Sequence, residues 1–325
     1  MDKIKNAAPS ELGKRQTKLN LLYYNRSEEI CQETNDNLAE KERRAIENLR
    51  AFEPQSEPYY LCYSGGKDSD CIRILAELAG VKHDIVHNLT TVDAPKTVYY
   101  IRSIPNVIIE EPEKSMWQLI PDKLMPPTRL VRYCCEELKE RGGLGRLKIT
   151  GVRKAESRAR AEHSDLIQVI GKPKTTQKAA EEMGADYRIT DKGGLLMDMD
   201  NDPARRLVEH CYRSRSVMVN PIIDWTDNDV WEFLRHYGCS ANPLYQFCGK
   251  RRIGCIGCPM QGGKGMKADF ARYPKYRLNY VKAFDRMLEE RKRRYLPTNW
   301  ETGEDVMRWW VGDDPRQITL EDLQW

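Results

Sequence analysis

Apolar residues in the first part of the chain are sparse, and only Leu38, Ile46, Leu49 and Phe52 recur at roughly helical spacing among Glu, Lys and Arg. This pattern predicts a helical N-terminal extension over residues 1–55. Pro54 and Pro58 then precede the unbroken run Tyr59–Tyr63, which has the length and aromatic content of a buried strand. From there the two periodicities alternate. Ile72, Leu75, Ala76 and Ala79 mark a helix, Ile85–Leu89 a strand, Val98–Ile101 a helix and Val107–Ile109 a strand. Leu147–Thr150 and Val217–Asn220 read as further strands, the first opening into a loop at Gly151. Thr226 with Asp229 three residues on is a capping-box signature, and Val230, Trp231 and Leu234 give that helix its apolar face. The alternation implies an α/β fold, a Rossmann-like parallel sheet with helices on both faces, over residues 56–245. Residues 246–325 form a C-terminal region in which Tyr273, Tyr276, Tyr280, Phe284, Met287 and Leu288 recur at three- and four-residue steps. They predict a helix packed on the sheet domain rather than a base-stacking surface.

Composition narrows the class. The 325 residues carry 53 Lys and Arg against 49 Asp and Glu, so the formal net charge is only +4 and global charge does not announce a nucleic-acid binder. No window approaches the roughly 18 uninterrupted apolar residues of a membrane span, and the opening residues lack the apolar stretch of a secretory signal. A cytoplasmic protein without membrane association is the expectation. The 10 cysteines are too sparse for a disulfide scaffold but unevenly placed, which points to metal or redox chemistry.

The most informative stretch is Ser64-Gly65-Gly66-Lys67-Asp68-Ser69, between a predicted strand and a predicted helix. Two glycines let backbone amides approach a phosphate, the helix N-terminus adds partial positive charge, Lys67 adds a full one, and the two serines supply hydroxyls. The common nucleoside-triphosphate loop needs an earlier Gly and a Ser or Thr after the Lys, and this stretch has neither. In an open parallel sheet the ligand lies over the carboxyl ends of the strands. Thr91, Asp93, Gly151 and Arg153 therefore join the candidate nucleotide residues, and Lys67, Asp68 and Arg153 are the candidate catalytic ones.

Cys134 and Cys135 are adjacent, while Cys255 and Cys258 form a Cys-x-x-Cys between Gly254, Gly257 and Pro259. Two such pairs complete four sulfur ligands. Zinc prefers separated pairs and an adjacent pair reaches two corners of a cubane, so an iron–sulfur cluster is favoured and zinc is the alternative. Cys211 and Cys248 are substitutes, and Cys31, Cys62, Cys71 and Cys239 read as structural.

SGGKDS matches the PP-loop of the ATP pyrophosphatases, the adenine-nucleotide alpha-hydrolase superfamily. Together with the Cys pair after Arg132-Tyr133, then GVRKAES, Asn220-Pro221-Ile222, Asp224-Trp225 and GCIGCP, it makes residues 58–290 resemble the phosphoadenosine phosphosulfate reductase family. The resemblance implies that the loop grips ATP or an adenylylsulfate-type nucleotide with Mg²⁺, and that ATP is cut between its alpha and beta phosphates. It also implies a 4Fe-4S cluster on Cys134, Cys135, Cys255 and Cys258. Two departures matter. The reductases attack with a cysteine near the C-terminus, whereas Cys258 is the last here, and their phosphate loops are degenerate where this one is intact. Both shift the expectation toward ATP-dependent sulfur transfer, as in the DNA phosphorothioation sulfurtransferase that this chain resembles. A nucleic acid is then a candidate acceptor and a sulfur-donor protein a candidate partner. Reduction of adenylylsulfate or its 3′-phosphate, and a nucleotide-binding scaffold with a structural metal, are the alternatives. The long interval from Cys135 to Cys255 implies an insertion near residues 172–215. Lys250, Arg251 and Arg252 are equally a backbone-phosphate contact or a solvated turn.

Overall fold

A computed structural model describes residues 37–170, 173–190, 194–211, 216–249 and 252–313. Cys31, Lys250 and Arg251 lie outside them.

Strand β1 (Tyr59–Cys62) is central, with three of its four side chains buried. It pairs in parallel with β2 (His83–Asn88) on one side and β4 (Leu147–Ile149) on the other. β3 (Val107–Glu110) adds beyond β2, and β8 (Ser216–Val219) beyond β4, both parallel. The sheet then turns antiparallel through β5 (Ile167–Ile170), β7 (Leu195–Met197) and β6 (Arg188–Ile189). The eight-stranded order is β3-β2-β1-β4-β8-β5-β7-β6. The order in which the chain adds strands switches sides of the sheet between β1 and β4, so their carboxyl ends border the crevice where ligands bind in open α/β sheets.

The expected parallel sheet therefore covers five strands. The antiparallel arm lies where an insertion was expected, and it adds helices α7 (Pro173–Met183) and α8 (Asp202–Cys211). Of the other helices, α1 spans 37–51 and α2 Lys67–Ala79. Next come α3 (Pro95–Ser103), α4 (Met116–Lys123), the short turn α5 (Tyr133–Cys135) and α6 (Arg158–His163). α9 (Asp227–His236), α10 (Leu244–Cys248), α11 (Gly262–Arg272), α12 (Pro274–Arg293) and α13 (Gly303–Trp310) complete the set. No helix among the described residues is long and apolar enough to cross a membrane.

Two cores result. Leu38, Ala45 and Leu49 of α1 join Leu61, Ile72, Leu75, Ile149, Val219 and Phe233 in the core around the sheet. The second core holds Tyr280, Phe284 and Met287 of α12 against Met116, Leu119 and Ile120 of α4, with Trp310 of α13 and Ile256 of the Cys-x-x-Cys turn. The aromatic periodicity in α12 thus marks a helix that packs on the sheet domain as expected, through its helix α4 rather than through a strand. At about 1.5–3 kcal/mol for each large side chain buried, this second core fixes the thiol segment to the rest of the fold.

Candidate functional site

The phosphate loop leaves β1 at Tyr63 and enters α2 at Lys67. Gly65 has φ +69°, and a Cβ there would stand 2.7 Å from Ile101, so both the conformation and the space call for glycine. Ser69 closes the turn: its hydroxyl accepts from the Gly66 N–H at 3.0 Å and donates to the Gly66 carbonyl at 2.8 Å. Ser64 Oγ lies 3.3 Å from Ser69 Oγ. Asn242, fully buried, donates to the Gly65 carbonyl at 3.0 Å. The Lys67 N–H, one of the amides that the helix N-terminus leaves unpaired, donates to the Tyr245 hydroxyl at 2.9 Å. Tyr245 is held by an edge contact with Trp231.

Two cations and two carboxylates meet over this loop. Arg153, only 1% exposed, follows β4 and donates from Nε to Asp68 (2.7 Å) and from Nη2 to Asp227 (2.7 Å). Its Nη1 donates to the Trp225 carbonyl. Lys67 Nζ reaches the same carboxylates at 3.1 and 3.0 Å. Burial opposes the charge of Asp227, but Lys67 and Arg153 outweigh it and hold the carboxyl down to about 2. Gly151 lets the β4 loop close on this group, since a Cβ there would sit 3.0 Å from the Asp68 carbonyl carbon.

Three expected residues, Lys67, Asp68 and Arg153, are therefore together, with Ser64, Gly65, Gly66, Ser69 and Gly151 around them. Thr91 and Asp93 lie on the neighbouring loop. Thr91 has φ +62° and accepts from the Met116 N–H. Asp93 accepts from the Thr90 N–H at 2.7 Å and lies 3.8 Å from His87 Nε2. Burial works against its charge, yet His87 and Lys139 keep its carboxyl below the ordinary range. Asp227, Asn242 and Tyr245 were not singled out from the sequence. The acid beside the Thr226 cap and the Asn-Pro turn at residue 242 were the available signals, and both also fit purely local roles.

The thiol segment is tied to that neighbouring loop. The Ile256 N–H donates to the Val92 carbonyl at 2.8 Å, and Cys255 Sγ lies 3.5 Å from Thr90 Oγ1. Tyr280 donates to the Ile256 carbonyl, and Gly257 (φ +71°) packs so closely that a Cβ would stand 2.5 Å from Phe270. Cys134 and Cys135 lie at α5, with the Cys134 S–H toward Cys135 and Arg132 Nη2 at 3.3 Å from Cys135 Sγ. The neighbouring thiol first, then Arg132, hold Cys135 down to about 5 against the effect of burial, while Cys134 is pushed far up. Cys134 feels the charge of Cys135, Cys255 and Cys258, so all four thiols share one electrostatic neighbourhood. Among the described residues, no three His, Cys, Asp or Glu side chains gather closely enough for a single metal ion. A cavity of about 140 Å³ lies between the two halves, lined by Ser64, His87, Asp93, Lys139 and Gly254.

Comparison with known proteins finds a matching family and several partial relatives. The phosphoadenosine phosphosulfate reductase domain family matches residues 58–261. An uncharacterized 37.8 kDa protein of Escherichia phage 186 is 32% identical over 111 residues, 34% of this chain and 29% of that one. Adenosine 5′-phosphosulfate reductase of Allochromatium vinosum is 42% identical over 40 residues, 12% of this chain and 15% of that one. The chain spans less than a third of the length of these curated relatives. Among solved structures, the phosphate complex of phosphoadenylyl-sulfate reductase from Candida auris superposes with a TM-score of 0.38 at 15% identity, covering 65% of this chain and 87% of that one. Because the family match runs unbroken from Pro58 before β1 to Gln261 beyond the Cys-x-x-Cys, over more than half of the chain, this protein belongs to the phosphoadenosine phosphosulfate reductase domain family.

Proposed function

We propose that the protein is an ATP pyrophosphatase-type enzyme that cleaves ATP between the alpha and beta phosphates and uses four cysteines in sulfur transfer. The observation that carries this reading is the convergence of Lys67, Arg153, Asp68 and Asp227 over an intact glycine loop at the carboxyl ends of β1 and β4. Lys67 and Arg153 stabilise the charge that builds on the departing pyrophosphate, and the loop amides hold the phosphate oxygens. Asp68 and Asp227 suit Mg²⁺, which is typically bound through one or two carboxylates together with substrate phosphates.

Cys134, Cys135, Cys255 and Cys258 would hold an iron–sulfur cluster. Their donor set suits it: four thiols in one electrostatic neighbourhood, two from an adjacent pair and two from a Cys-x-x-Cys turn. When bound, such a cluster supplies an iron–sulfide surface able to carry sulfur or electrons. Gly257 sets the turn and Arg132 faces Cys135, while the cavity lined by Ser64, Asp93 and Gly254 offers room beside the thiol segment for the reacting group. A nucleic-acid acceptor and a sulfur-donor protein remain part of this reading.

Pyrophosphate and AMP release from ATP, measured for anaerobically purified protein and for Lys67→Ala, tests the assignment. Turnover should fall by at least a hundredfold, in line with about 2.7–4 kcal/mol for a lost oxyanion donor. Unchanged turnover would remove Lys67 from the site. Iron and sulfide, absent from a Cys134→Ser/Cys258→Ser variant and present in the parent, test the cluster, whereas zinc alone would replace it. A second reading, thiol-dependent reduction of adenylylsulfate or its 3′-phosphate, is favoured by the family match and predicts sulfite release.

A further inference from the structure

Arginines from three separate segments lie within reach of one another's charge, with Asp68 of the phosphate loop felt on one side and Cys135 contacted on the other. Arg160 of α6 lies 2.9 Å from the Glu156 carboxylate. Arg252, three residues before Cys255, pairs with the same carboxylate from the other side. Arg132 stands 3.3 Å from Cys135 Sγ. Glu156 is well buried, its side chain 9% exposed, while those of Arg160 and Arg252 are 40% and 55% exposed.

The charges do not balance. At the phosphate loop, Lys67 and Arg153 are matched by Asp68 and Asp227. Here Arg160 and Arg252 share one carboxylate, which leaves one positive charge in excess, while Arg132 is offset by the Cys135 sulfur and by the charge of Glu140. Burial first, then repulsion from Arg252 and Arg132, lower the pKa of Arg160 against the pull of Glu156 and Asp68. Its guanidinium therefore senses the phosphate loop and the thiol side at once. Nearby cations are taken elsewhere: Lys154 pairs with Asp165 and Asp224, and Arg158 with Glu162. Gathering like charges costs free energy, and a fold that does so beside a reaction crevice is built to receive an anion.

We infer that Arg132, Arg160 and Arg252 form an oxyanion subsite, separate from the triphosphate loop, that takes a phosphate-type group on the molecule receiving the sulfur. Guanidinium forks match phosphate oxygens two at a time, and two half-exposed forks set against one buried carboxylate keep donors turned outward. The identity of the ligand rests on the sulfur-transfer reading, whereas the existence of the subsite does not. The phosphate group has two sources, a free anion or a phosphodiester chain.

The test measures binding of a short fluorescein-labelled single-stranded oligonucleotide by anisotropy as salt is varied, with inorganic phosphate as competitor and a non-hydrolysable ATP analogue filling the loop. With two contacts removed, Arg160→Gln/Arg252→Gln should bind at least tenfold more weakly, and its slope of log K against log salt should be shallower by about 1.4. If that variant loses its circular dichroism spectrum, Arg252→Gln alone should flatten the slope by about 0.7. If phosphate binds to the filled protein and is lost in the variant while the oligonucleotide never binds, the subsite stands and its ligand is a free anion. An unchanged slope with unchanged phosphate binding overturns the inference, as does displacement of both probes by the ATP analogue. Failure to bind the analogue, with phosphate still lost in the variant, would sink the ATP reading and leave the subsite intact.

Discussion

Replacing Asp227 with Asn keeps the shape of the side chain and removes its charge, so it isolates what this carboxylate does to the phosphate loop. Asp227 Oδ1 takes bonds from Lys67 Nζ at 3.0 Å and Arg153 Nη2 at 2.7 Å. The carboxyl is held down to about 2, against an ordinary value of about 3.9. For a dry group that difference would be worth roughly 2.5 kcal/mol, but half of this side chain is exposed (52%) and screening leaves about 1 kcal/mol. The contribution is present above about pH 4 and is lost as pH falls through about 2, so urea unfolding at pH 7 should show the full gap between parent and variant. Affinity should move the other way. Asp227 competes with an incoming phosphate for both cations, and removing a unit charge from contact range is worth up to about 4 kcal/mol at a surface dielectric. Salt and exposure bring this to about 1.4 kcal/mol, or tenfold. Calorimetric titration with pyrophosphate in chelator should therefore show tenfold tighter binding by the variant. In Mg²⁺ the advantage should disappear, because the parent's carboxylate is then occupied by the metal. A natively folded variant that binds metal-free pyrophosphate no better than the parent would refute the competition.

Gly257→Ala should cost about 2–4 kcal/mol in urea unfolding, because φ +71° strains an L-residue and Phe270 stands 2.5 Å from the new methyl. Gly80→Ala, at φ +68° with open space around it, should cost only about 1 kcal/mol. Gly151→Ala presses on the Asp68 carbonyl carbon at 3.0 Å and should slow pyrophosphate release by roughly tenfold without a matching loss of stability. Asp70 is fully buried and is pushed up to about 6 by burial, against hydrogen bonds from Tyr63 and Tyr100. Its protonated form favours the folded state, a contribution present below about pH 4 and lost as pH rises through about 6. Unfolding of Asp70→Asn and the parent should therefore diverge by roughly 2–3 kcal/mol in favour of the variant between pH 4 and pH 7.

What the sequence revealed follows from how local each signal is. The Tyr59–Tyr63 run, the Gly65-Gly66 turn and the periodicity of α2 lie within one short stretch, so strand, loop and helix could be read together. The antiparallel arm gave no such pattern, since β6 and β7 are two and three residues long and β6 is exposed. Asp227 and Tyr245 acquire their roles from Lys67, 160 and 178 positions away, and nothing adjacent to them encodes that pairing. The partner of α12 was hidden for a related reason. Its apolar stripe states that it packs on the sheet domain, but the element it meets there, α4, is a short helix containing Pro121 and was not read as one.

The two cations that a phosphate would use at the loop, and the Lys67 N–H, already have protein acceptors: Tyr245 for the Lys67 N–H, and Asp68 and Asp227 for Lys67 Nζ and Arg153. Nucleotide binding is then an exchange of partners rather than an addition of contacts. A metal-free nucleotide would take the two cations and leave the carboxylates unpaired, at about 1 kcal/mol for the half-exposed Asp227, and a metal alone would take the carboxylates and leave Arg153 unpaired at 1% exposure, at several kcal/mol. On the proposed function, the metal–nucleotide complex satisfies both halves together, so the closed quartet should make the two ligands bind cooperatively. The same exchange frees the hydroxyl of Tyr245, a residue of the short helix α10 that precedes the Cys-x-x-Cys in sequence.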